Sequence, residues 1–294
     1  MRIAVIDKKD ITIKVERSCV KFDGETLPFK LMDILVINHR VILGSRDVLK
    51  LNEANISLLI VSHNNRNLSI LNSANTKNGS LKLAQYNALS NRLDIAKYFV
   101  TQKISTHAKH LKYFDKNLEI DSLIEEIKET KSVESLIGIE GTFAKNYFKI
   151  YFSLFSKEFR ATKRTKNPPK DPLNALLSFW YSLYYNIITI KLLSIGFDPA
   201  IGYLHVPFRT HNALSSDFIE IFRAEINHAI LGIFQNNLLQ KEDFSYKNGG
   251  VYLTFNGRKK IWREFVDLVS VLNIKLKHEI ATIRAMVESR DEEI

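Results

Sequence analysis

The chain has 294 residues, which is enough for two domains or one large one. Hydrophobic residues make up 45% of it, so wholesale disorder is excluded. The formal net charge of +10 favours an anionic partner, most commonly a nucleic acid, although membrane-surface and ribosome-associated proteins are also basic.

The cellular compartment follows from the cysteine content and the N-terminus. Cys19 is the only cysteine, so an intrachain disulfide is excluded. The first residues show no long apolar run followed by a small-residue cleavage site, which argues against a signal peptide. We therefore expect a cytoplasmic protein in a reducing environment.

Residues 1–72 show the alternating pattern that is typical of half-buried strands. Ile11, Ile13 and Val15 are separated by polar residues, and Asp23-Gly24 is a turn dipeptide. A short helix is predicted from Ser45. We predict a small N-terminal β domain of two packed sheets, which acts as a scaffold or a dimer contact.

A polar, glycine-containing segment at 73–80 is the predicted linker. After it the apolar residues follow a helical period. They form one stripe: Leu81, Ala84, Leu89, Leu93, Ala96 and Val100. The predicted fold class is α+β, with the β domain at 1–72 and a larger all-α catalytic domain at 81–294. Gly249-Gly250 predicts one small hairpin or turn within it.

Glu140 lies between Gly138 and Gly141, and these glycines predict a tight turn before a helix. The glutamate would then stand at the mouth of that helix, where the helix dipole favours an acid whether or not it has a function. The aromatic residues that follow at 143, 147, 148, 151 and 152 are predicted to be core residues.

The stretch 157–170 is strongly basic and ends near two prolines. We predict an exposed loop. Lys163, Arg164 and Lys166 in it either contact DNA phosphates or only keep the loop soluble; phosphate contacts would supply affinity without sequence information.

Residues 175–195 are apolar enough to raise the question of a membrane span. Asn186 and Lys191 interrupt the segment, so a central buried helix is favoured over a span. Asp171-Pro172 is a good helix start, and Gly196 ends the helix.

Three further candidates for a metal site follow this helix. A Pro/Gly turn presents His205, and Asp217 and Glu220 are spaced to share one side of the next helix. Two like charges so close together favour a bound cation, and carboxylates with an imidazole suit Mg²⁺ or Mn²⁺. Arg223 would face phosphate or pair with an acid.

Four stretches in this order carry a family resemblance: G-I-E-G-T at 138–142, D-P-L-N-A-L-L-S-F-W-Y from Asp171, G-F-D-P-A-I-G-Y-L-H ending at His205, and A-L-S-S-D-F-I-E at 213–220. They resemble the CRISPR-associated endonuclease/integrase of the spacer-acquisition step, the Cas-one family of antiviral defence. The resemblance covers nearly the whole chain.

The resemblance implies a function. Glu140, His205 and Glu220 would bind Mg²⁺ or Mn²⁺, with Asp217 as the adjacent acid. The site would insert short foreign DNA into a CRISPR repeat array by 3′-hydroxyl attack on a phosphodiester. Expected partners are double-stranded DNA, a second copy bound through residues 1–72, and a small ferredoxin-like adaptation protein; no membrane is involved.

One departure from the family pattern falls after Lys103-Ile104. Family members usually carry Asn-Gln soon after such a pair, and here Thr106-His107 stands instead. No role is therefore assigned to Lys103, His107 or His110, and His107 is predicted to be a solvated helix residue.

Two other functions stay open. The chain could be a non-catalytic DNA-binding scaffold, but it retains all four predicted site residues. It could also be an unrelated metal-dependent phosphodiesterase acting on RNA or nucleotides. A second histidine-rich cluster would favour that alternative, but His205, His211 and His228 are poorly spaced for one.

Overall fold

The computed structural model describes residues 1–61, 68–73, 78–206 and 211–289. Strands dominate the N-terminal part, and one helix interrupts them. They are β1 (Ile3–Ile6), β2 (Ile11–Val15), β3 (Cys19–Phe22), β4 (Glu25–Pro28), β5 (Ile34–Ile37), β6 (Val41–Leu43), α1 (Ser45–Glu53), β7 (Ser57–Val61) and β8 (Leu68–Leu71). Half of the predicted linker, residues 74–77, lies outside the described residues.

The eight strands form two four-stranded sheets, as predicted. In the first sheet, with strand order β1-β5-β7-β8, the first three strands are parallel and β8 is antiparallel to β7. In the second, with order β4-β3-β2-β6, β2 is antiparallel to β3 and parallel to β6. Asp23 and Gly24 form the turn between β3 and β4, and both have a positive φ.

The first sheet is covered on both faces. Successive side chains on a strand point to opposite faces, so β5 contributes Leu35 and Ile37 to the core between the sheets. Ile34 and Val36, on the other face, join the hydrophobic core of the helical part. The two parts therefore share an apolar contact. Burying each such side chain stabilises the folded protein by roughly 1.5–3 kcal/mol.

The remainder of the described chain is helical apart from one hairpin. Its elements are α2 (Gly79–Asn87), α3 (Arg92–Lys112), α4 (Asp121–Glu129), α5 (Val133–Ser153), α6 (Pro172–Ile195), α7 (Ala213–Gln235), β9 (Phe244–Lys247), β10 (Gly250–Leu253) and α8 (Phe255–Glu288). The hairpin β9–β10 lies where Gly249-Gly250 predicted it.

The predicted apolar stripe from Leu81 to Val100 is divided between two helices. A 3-10 turn, Ala88–Asn91, separates α2 from α3. The Ser90 hydroxyl donates a hydrogen bond to the Asn87 carbonyl there. Such local bonds from polar side chains compete with the α-helical pattern, which the apolar spacing alone does not reveal.

The central helix α6 is buried along most of its length, as predicted. The Asp171 side chain accepts a hydrogen bond from the Asn174 backbone at 2.8 Å, and Pro172 occupies the first helical position. Gly196 ends the helix with a φ of 109°. Within the described ranges, no helix is long and apolar enough to cross a bilayer.

Helix α8 ties the N-terminal sheets to the helical part through a buried polar contact. Trp262 Nε1 donates a hydrogen bond of 2.7 Å to the Asp7 carboxylate. Arg258 forms an ion pair with the same carboxylate at 3.5 Å, and it donates a hydrogen bond of 2.8 Å to His39 Nε2, which lies 3.2 Å from that carboxylate. The two parts therefore meet through matched charges as well as apolar side chains.

Candidate active site

Helices α3, α5 and α7 pack together and bring Lys103, Glu140 and Glu220 into contact. The Lys103 ammonium forms an ion pair with Glu140 on α5 and a second, of 2.5 Å, with Glu220 on α7. The two predicted carboxylate ligands therefore lie on either side of one ammonium. Sequence reasoning assigned no role to this lysine.

The predicted turn around Glu140 is wrong. Helix α5 begins at Val133, where the Ser132 hydroxyl accepts a hydrogen bond from the Ser135 backbone, and it continues through Gly138 and Gly141. Glycine lowers helix stability but does not prevent a helix whose neighbours are buried. Glu140 thus projects from a helix interior, and its side chain is 21% exposed.

Asp217 lies behind the site and is completely buried. Its carboxylate accepts the backbone N–H groups of Tyr203, Leu204 and His205 at 2.6, 3.1 and 2.8 Å. It also contacts His205 Nδ1 at 2.8 Å. Because an ionised carboxylate only accepts, the proton of a neutral His205 is assigned to Nδ1, which leaves the lone pair on Nε2.

The turn that carries His205 is held by α2 and by a close contact with α7. The Gln85 amide donates to the carbonyls of Asp198 and Ile201, both at 2.9 Å. A Cβ at Gly202 would lie 2.7 Å from the Ala213 backbone and 2.9 Å from the Asp217 carboxylate, so only glycine fits without a shift. The turn leaves the His205 side chain 39% exposed at the mouth of the site.

The pKa values of His205 and Glu220 reflect their opposite partners. Burial lowers the pKa of His205, but the hydrogen bond and charge of Asp217 outweigh burial and raise it overall. Burial would raise the pKa of Glu220, but the charges of Arg223 and Lys103 outweigh it and lower that pKa to about 2. Glu220 is therefore ionised at neutral pH.

Lys103 could have been found from its position in the apolar stripe of α3. Phe99, Val100, Ile104 and His107 are buried neighbours on that face, and the Lys103 side chain is itself only 3% exposed. A buried ammonium needs an anionic partner. A lysine in a core position therefore indicates carboxylates on the helices that pack against it.

Arg223 is one turn along α7 from Glu220 and pairs with its Oε1 atom at 2.9 Å. Its guanidinium lies 4.9 Å from the centre of the Tyr181 ring, which also contacts Arg164 at 5.6 Å. The charge of Arg223 lowers the pKa of Lys166, so the basic loop reaches the site. Of the two expectations for Arg223, the structure shows the pairing with an acid.

The basic loop is exposed at Lys163 and Lys166, as predicted, but not at Arg164. Arg164 donates to the Asn174 side chain at 2.9 Å and to the Ser178 hydroxyl at 3.1 Å. Burial lowers its pKa to about 10. Arg164 therefore fastens the loop to α6 and is not part of a fully solvated arm.

The prediction that His107 is solvated is wrong. His107 is buried, contacts the Lys103 carbonyl at 2.7 Å through Nδ1, and packs edge-on against Tyr147. His110, also buried, contacts the Tyr147 hydroxyl at 2.8 Å. The helical stripe continues beyond Ile104 through these rings, and histidine alone in sequence does not indicate burial.

Among the described residues, His205, His211 and His228 do not form a second cluster. His211 Nε2 contacts the Ser216 hydroxyl at 2.7 Å, and its ring centre is 6.4 Å from that of His205. His228 packs instead against His110 and Tyr113. In the described part of the chain, no three His, Cys, Asp or Glu side chains are arranged to hold a metal ion.

The residues around Lys103 nevertheless have the right chemistry for a hard divalent cation. Glu140 and Glu220 offer carboxylate oxygens around one cationic group, and His205 Nε2 is left for a ligand because Nδ1 contacts Asp217. A carboxylate behind a ligating histidine is a common arrangement around protein-bound metals. The donor set therefore fits Mg²⁺ or Mn²⁺ if the ammonium gives way.

Comparison with known proteins gives consistent matches over the chain. The family model described as CRISPR associated protein Cas1 matches residues 3–267. The chain is 32% identical to a CRISPR-associated endonuclease Cas1 of Thermodesulfovibrio yellowstonii, over 99% of each chain.

Solved structures share the fold. A Cas1 protein from Thermotoga maritima has a TM-score of 0.88 at 22% identity, over 98% of this chain and 97% of that one. A casposase bound to integration product has a TM-score of 0.88 at 21% identity, over 99% and 91%. A Cas6-RT-Cas1–Cas2 complex has a TM-score of 0.78 at 20% identity, over 98% of this chain and 35% of that one.

Proposed function

Because the chain belongs to the Cas1 family of CRISPR-associated proteins, we propose that it is a metal-dependent DNA endonuclease and integrase. It inserts short DNA fragments into a repeat array by 3′-hydroxyl attack on a phosphodiester. The observation that carries the proposal is the convergence of Glu140 and Glu220 on one buried cation. The Asp217-backed imidazole of His205 is near enough for its charge to act on Glu220.

Each residue has a distinct part in this proposal. Glu140, Glu220 and His205 Nε2 would hold Mg²⁺ or Mn²⁺, which supplies a positive charge that polarises the phosphodiester and stabilises its entering and leaving oxygens. Asp217 keeps the imidazole oriented and does not itself bind the metal, since all four of its contacts are to residues 203–205. Arg223 keeps Glu220 ionised.

DNA would approach from the exposed side of His205 and Glu140. Lys166 lies near Arg223 at this side, and Lys163 is exposed on the same loop. These cations would attract phosphates that the two glutamates alone would repel. Arg164 supports this surface by holding the loop on α6.

The test is strand transfer of a short duplex into a supercoiled plasmid that carries a repeat array, with Mn²⁺. Each of the single variants Glu140→Gln, His205→Asn and Glu220→Gln should abolish strand transfer, because a shared ligand set acts as a unit. Glu225→Gln is the matched control, because Glu225 is also on α7 but pairs with Lys275. Its transfer should stay near the wild-type rate.

The alternatives give different results in the same assay. DNA binding with no transfer by the wild type would indicate a non-catalytic scaffold. Cleavage of RNA or nucleotides without transfer would indicate an unrelated phosphodiesterase. Near-wild-type transfer by the folded His205→Asn protein would contradict the shared metal site.

We also propose that the chain acts as a homodimer through residues 1–72, together with a small ferredoxin-like adaptation protein. A Cas6-RT-Cas1–Cas2 complex among the structural neighbours supports the partner protein, and the family resemblance implies the dimer contact through residues 1–72. Light scattering should give twice the monomer mass of 33.9 kDa. A monomer at micromolar concentration would contradict this assembly.

A further inference from the structure

The two cations around Glu220 occupy both of its carboxylate oxygens. Lys103 Nζ lies 2.5 Å from Oε2, and Arg223 Nη2 lies 2.9 Å from Oε1. Lys103 also contacts Oε1 of Glu140. Two carboxylates and two cations thus balance in charge before any metal is bound.

We propose that Lys103 is an internal counter-ion that occupies the place of a divalent cation between Glu140 and Glu220, so that metal binding must displace its ammonium. The inference rests on the proposed function only in taking these two glutamates as metal ligands. It adds a positioning residue that holds the ligands in place when metal is absent.

The need for a counter-ion follows from burial. The Glu220 side chain is only 5% exposed, and a second carboxylate shares the same ammonium. Two like charges in a poorly solvated site repel strongly, and one would be protonated or move away unless a cation joined them. Lys103 keeps both carboxylates together without an external ion.

A metal at this pair would compete directly with Lys103. Mg²⁺ binds carboxylate oxygens at about 2.0–2.1 Å, which is closer than an ammonium, and neither oxygen of Glu220 is free of a cation. Each oxygen keeps a second lone pair, but a metal shared by Glu140 and Glu220 would occupy the space between them, where the Lys103 ammonium now lies.

Lys103 is the cation that should leave. Arg223 is held by its cation–π contact with Tyr181, at 4.9 Å, in addition to its ion pair with Glu220. Lysine carries a point charge on a flexible side chain, so its ammonium can move without breaking the fixed hydrogen-bond geometry that a guanidinium requires. Lys103 also bridges the two glutamates, which is where a shared metal would lie.

The test is calorimetric titration of Mn²⁺ into the full chain without DNA. Lys103→Met removes the charge and keeps the length of the side chain. It should bind Mn²⁺ tighter than wild type by about tenfold or more, because it has lost an internal competitor. Lys275→Met is the matched control, since Lys275 pairs with Glu225 on the same helix, and its Mn²⁺ affinity should not change.

A second readout is thermal unfolding. Metal-free Lys103→Met should melt below wild type, because its two carboxylates repel, and Mn²⁺ should raise its melting temperature more than that of wild type. A purely structural lysine would lower the melting temperature without increasing the Mn²⁺-dependent rise. Equal or weaker Mn²⁺ affinity in folded Lys103→Met would overturn the inference.

The results also separate this inference from the proposed function. If wild type binds Mn²⁺ and transfers strands but Lys103→Met binds no tighter, only the counter-ion role fails. If Lys103→Met binds Mn²⁺ and wild type does not, the lysine competes strongly with the metal, which supports the inference. Absence of binding in both proteins overturns the inference and the metal site together.

Two further experiments cover the case in which Lys103→Met does not fold. Lys103→Gln keeps a hydrogen-bond donor for one glutamate and should still bind Mn²⁺ tighter than wild type. A crystal structure of the wild type with Mn²⁺ should show the ammonium withdrawn from at least one glutamate. Mn²⁺ bound with both Lys103 contacts retained would contradict displacement.

Discussion

Asp217 holds His205 by two atoms at once: the same carboxylate oxygen is 2.8 Å from the ring Nδ1 and 2.8 Å from the backbone nitrogen. The carboxylate also accepts the N–H groups of Tyr203 and Leu204. One buried acid therefore sets both the path of the turn and the orientation of the imidazole. Its effect on the proposed chemistry is indirect, through the position of Nε2.

Replacing Asp217 should affect folding as well as activity. Asp217→Ala leaves the buried N–H groups of Tyr203 and Leu204, and the half-buried backbone and imidazole of His205, without their acceptor. It should lower the free energy of unfolding by roughly 3 kcal/mol. Urea unfolding measures this change. Asp267→Ala, on the exposed surface of α8, is the control and should change stability little. Equal stabilities of the two variants would contradict the anchoring role.

Asp217→Asn separates the two effects. The amide keeps the size of the side chain but can orient only one oxygen, so part of the backbone support survives while the imidazole loses its carboxylate. Loss of such a supporting carboxylate should weaken metal binding by roughly 10–100-fold. Mn²⁺ titration of the folded variant measures it, and unchanged affinity would show that His205 does not need Asp217 as a partner.

The basic loop should divide into binding and structural residues. Lys163→Ala and Lys166→Ala should each weaken DNA binding and reduce the slope of affinity against salt by about one counterion, because both are exposed cationic residues. Arg164→Ala should instead lower thermal stability, because its guanidinium bonds Asn174 and Ser178 on α6. Fluorescence anisotropy across a salt series measures the slopes. An unchanged slope in the Lys163→Ala, Lys166→Ala double variant would exclude the loop from DNA binding.

The sequence predicts most of the fold because the elements follow local rules. Alternation at Ile11, Ile13 and Val15 predicts a strand, and Asp171, Pro172 and Gly196 mark both ends of α6. The site is predicted less well because its contacts join distant helices. Glu140 and Glu220 are identified through resemblance, but the lysine between them comes from α3, and only packing shows that its ammonium reaches both.

The sequence predictions are wrong where a residue type is compatible with two structural environments. Gly138 and Gly141 predict a turn, yet the helix continues through them because the buried residues on either side stabilise it. His107 is polar in the sequence and buried in the structure, since its Nδ1 contacts a carbonyl of its own helix. Local spacing alone decides neither between a turn and a helix at the glycines nor between exposure and burial at His107.

The junction between the N-terminal sheets and α8 should depend on Asp7. Arg258 is 3% exposed, so Asp7→Ala would leave a buried guanidinium without its carboxylate and should cost roughly 3–5 kcal/mol in unfolding free energy. Trp262→Phe removes one hydrogen bond and should cost less, about 1–2 kcal/mol. Chemical denaturation measures both. Asp10→Asn is the control, because Asp10 pairs with Arg40 on the surface and asparagine tolerates its positive φ of 54°. It should change stability by less than about 1 kcal/mol; equal losses at Asp7 and Asp10 would contradict the buried junction.

The stability of the protein should fall with acid because two histidines on α3 are buried neutral. Burial and the charge of nearby His228 lower the pKa of His110 to about 4, and burial with the charge of Lys103 lowers that of His107 well below 6.5. Between these values and 6.5 the unfolded chain binds protons that the folded chain does not. The free energy of unfolding therefore rises with pH through this window. The contribution of the two neutral histidines is lost as the pH falls toward 4.

The contribution of His110 is measurable by substitution. A pKa lowered from 6.5 to about 4 corresponds to roughly 3 kcal/mol when the whole shift is expressed. Urea unfolding between pH 4.5 and 6.5 avoids the range in which Glu220, with a pKa lowered from 4.5 to about 2, adds its own loss. His110→Gln should make the free energy of unfolding depend less on pH, and the part of the dependence due to His107 should remain. His278→Gln is the control, since His278 is exposed on α8, and it should retain the wild-type slope. A wild-type stability that does not change over this window, or an equal slope in all three proteins, would show that His110 does not carry the acid sensitivity.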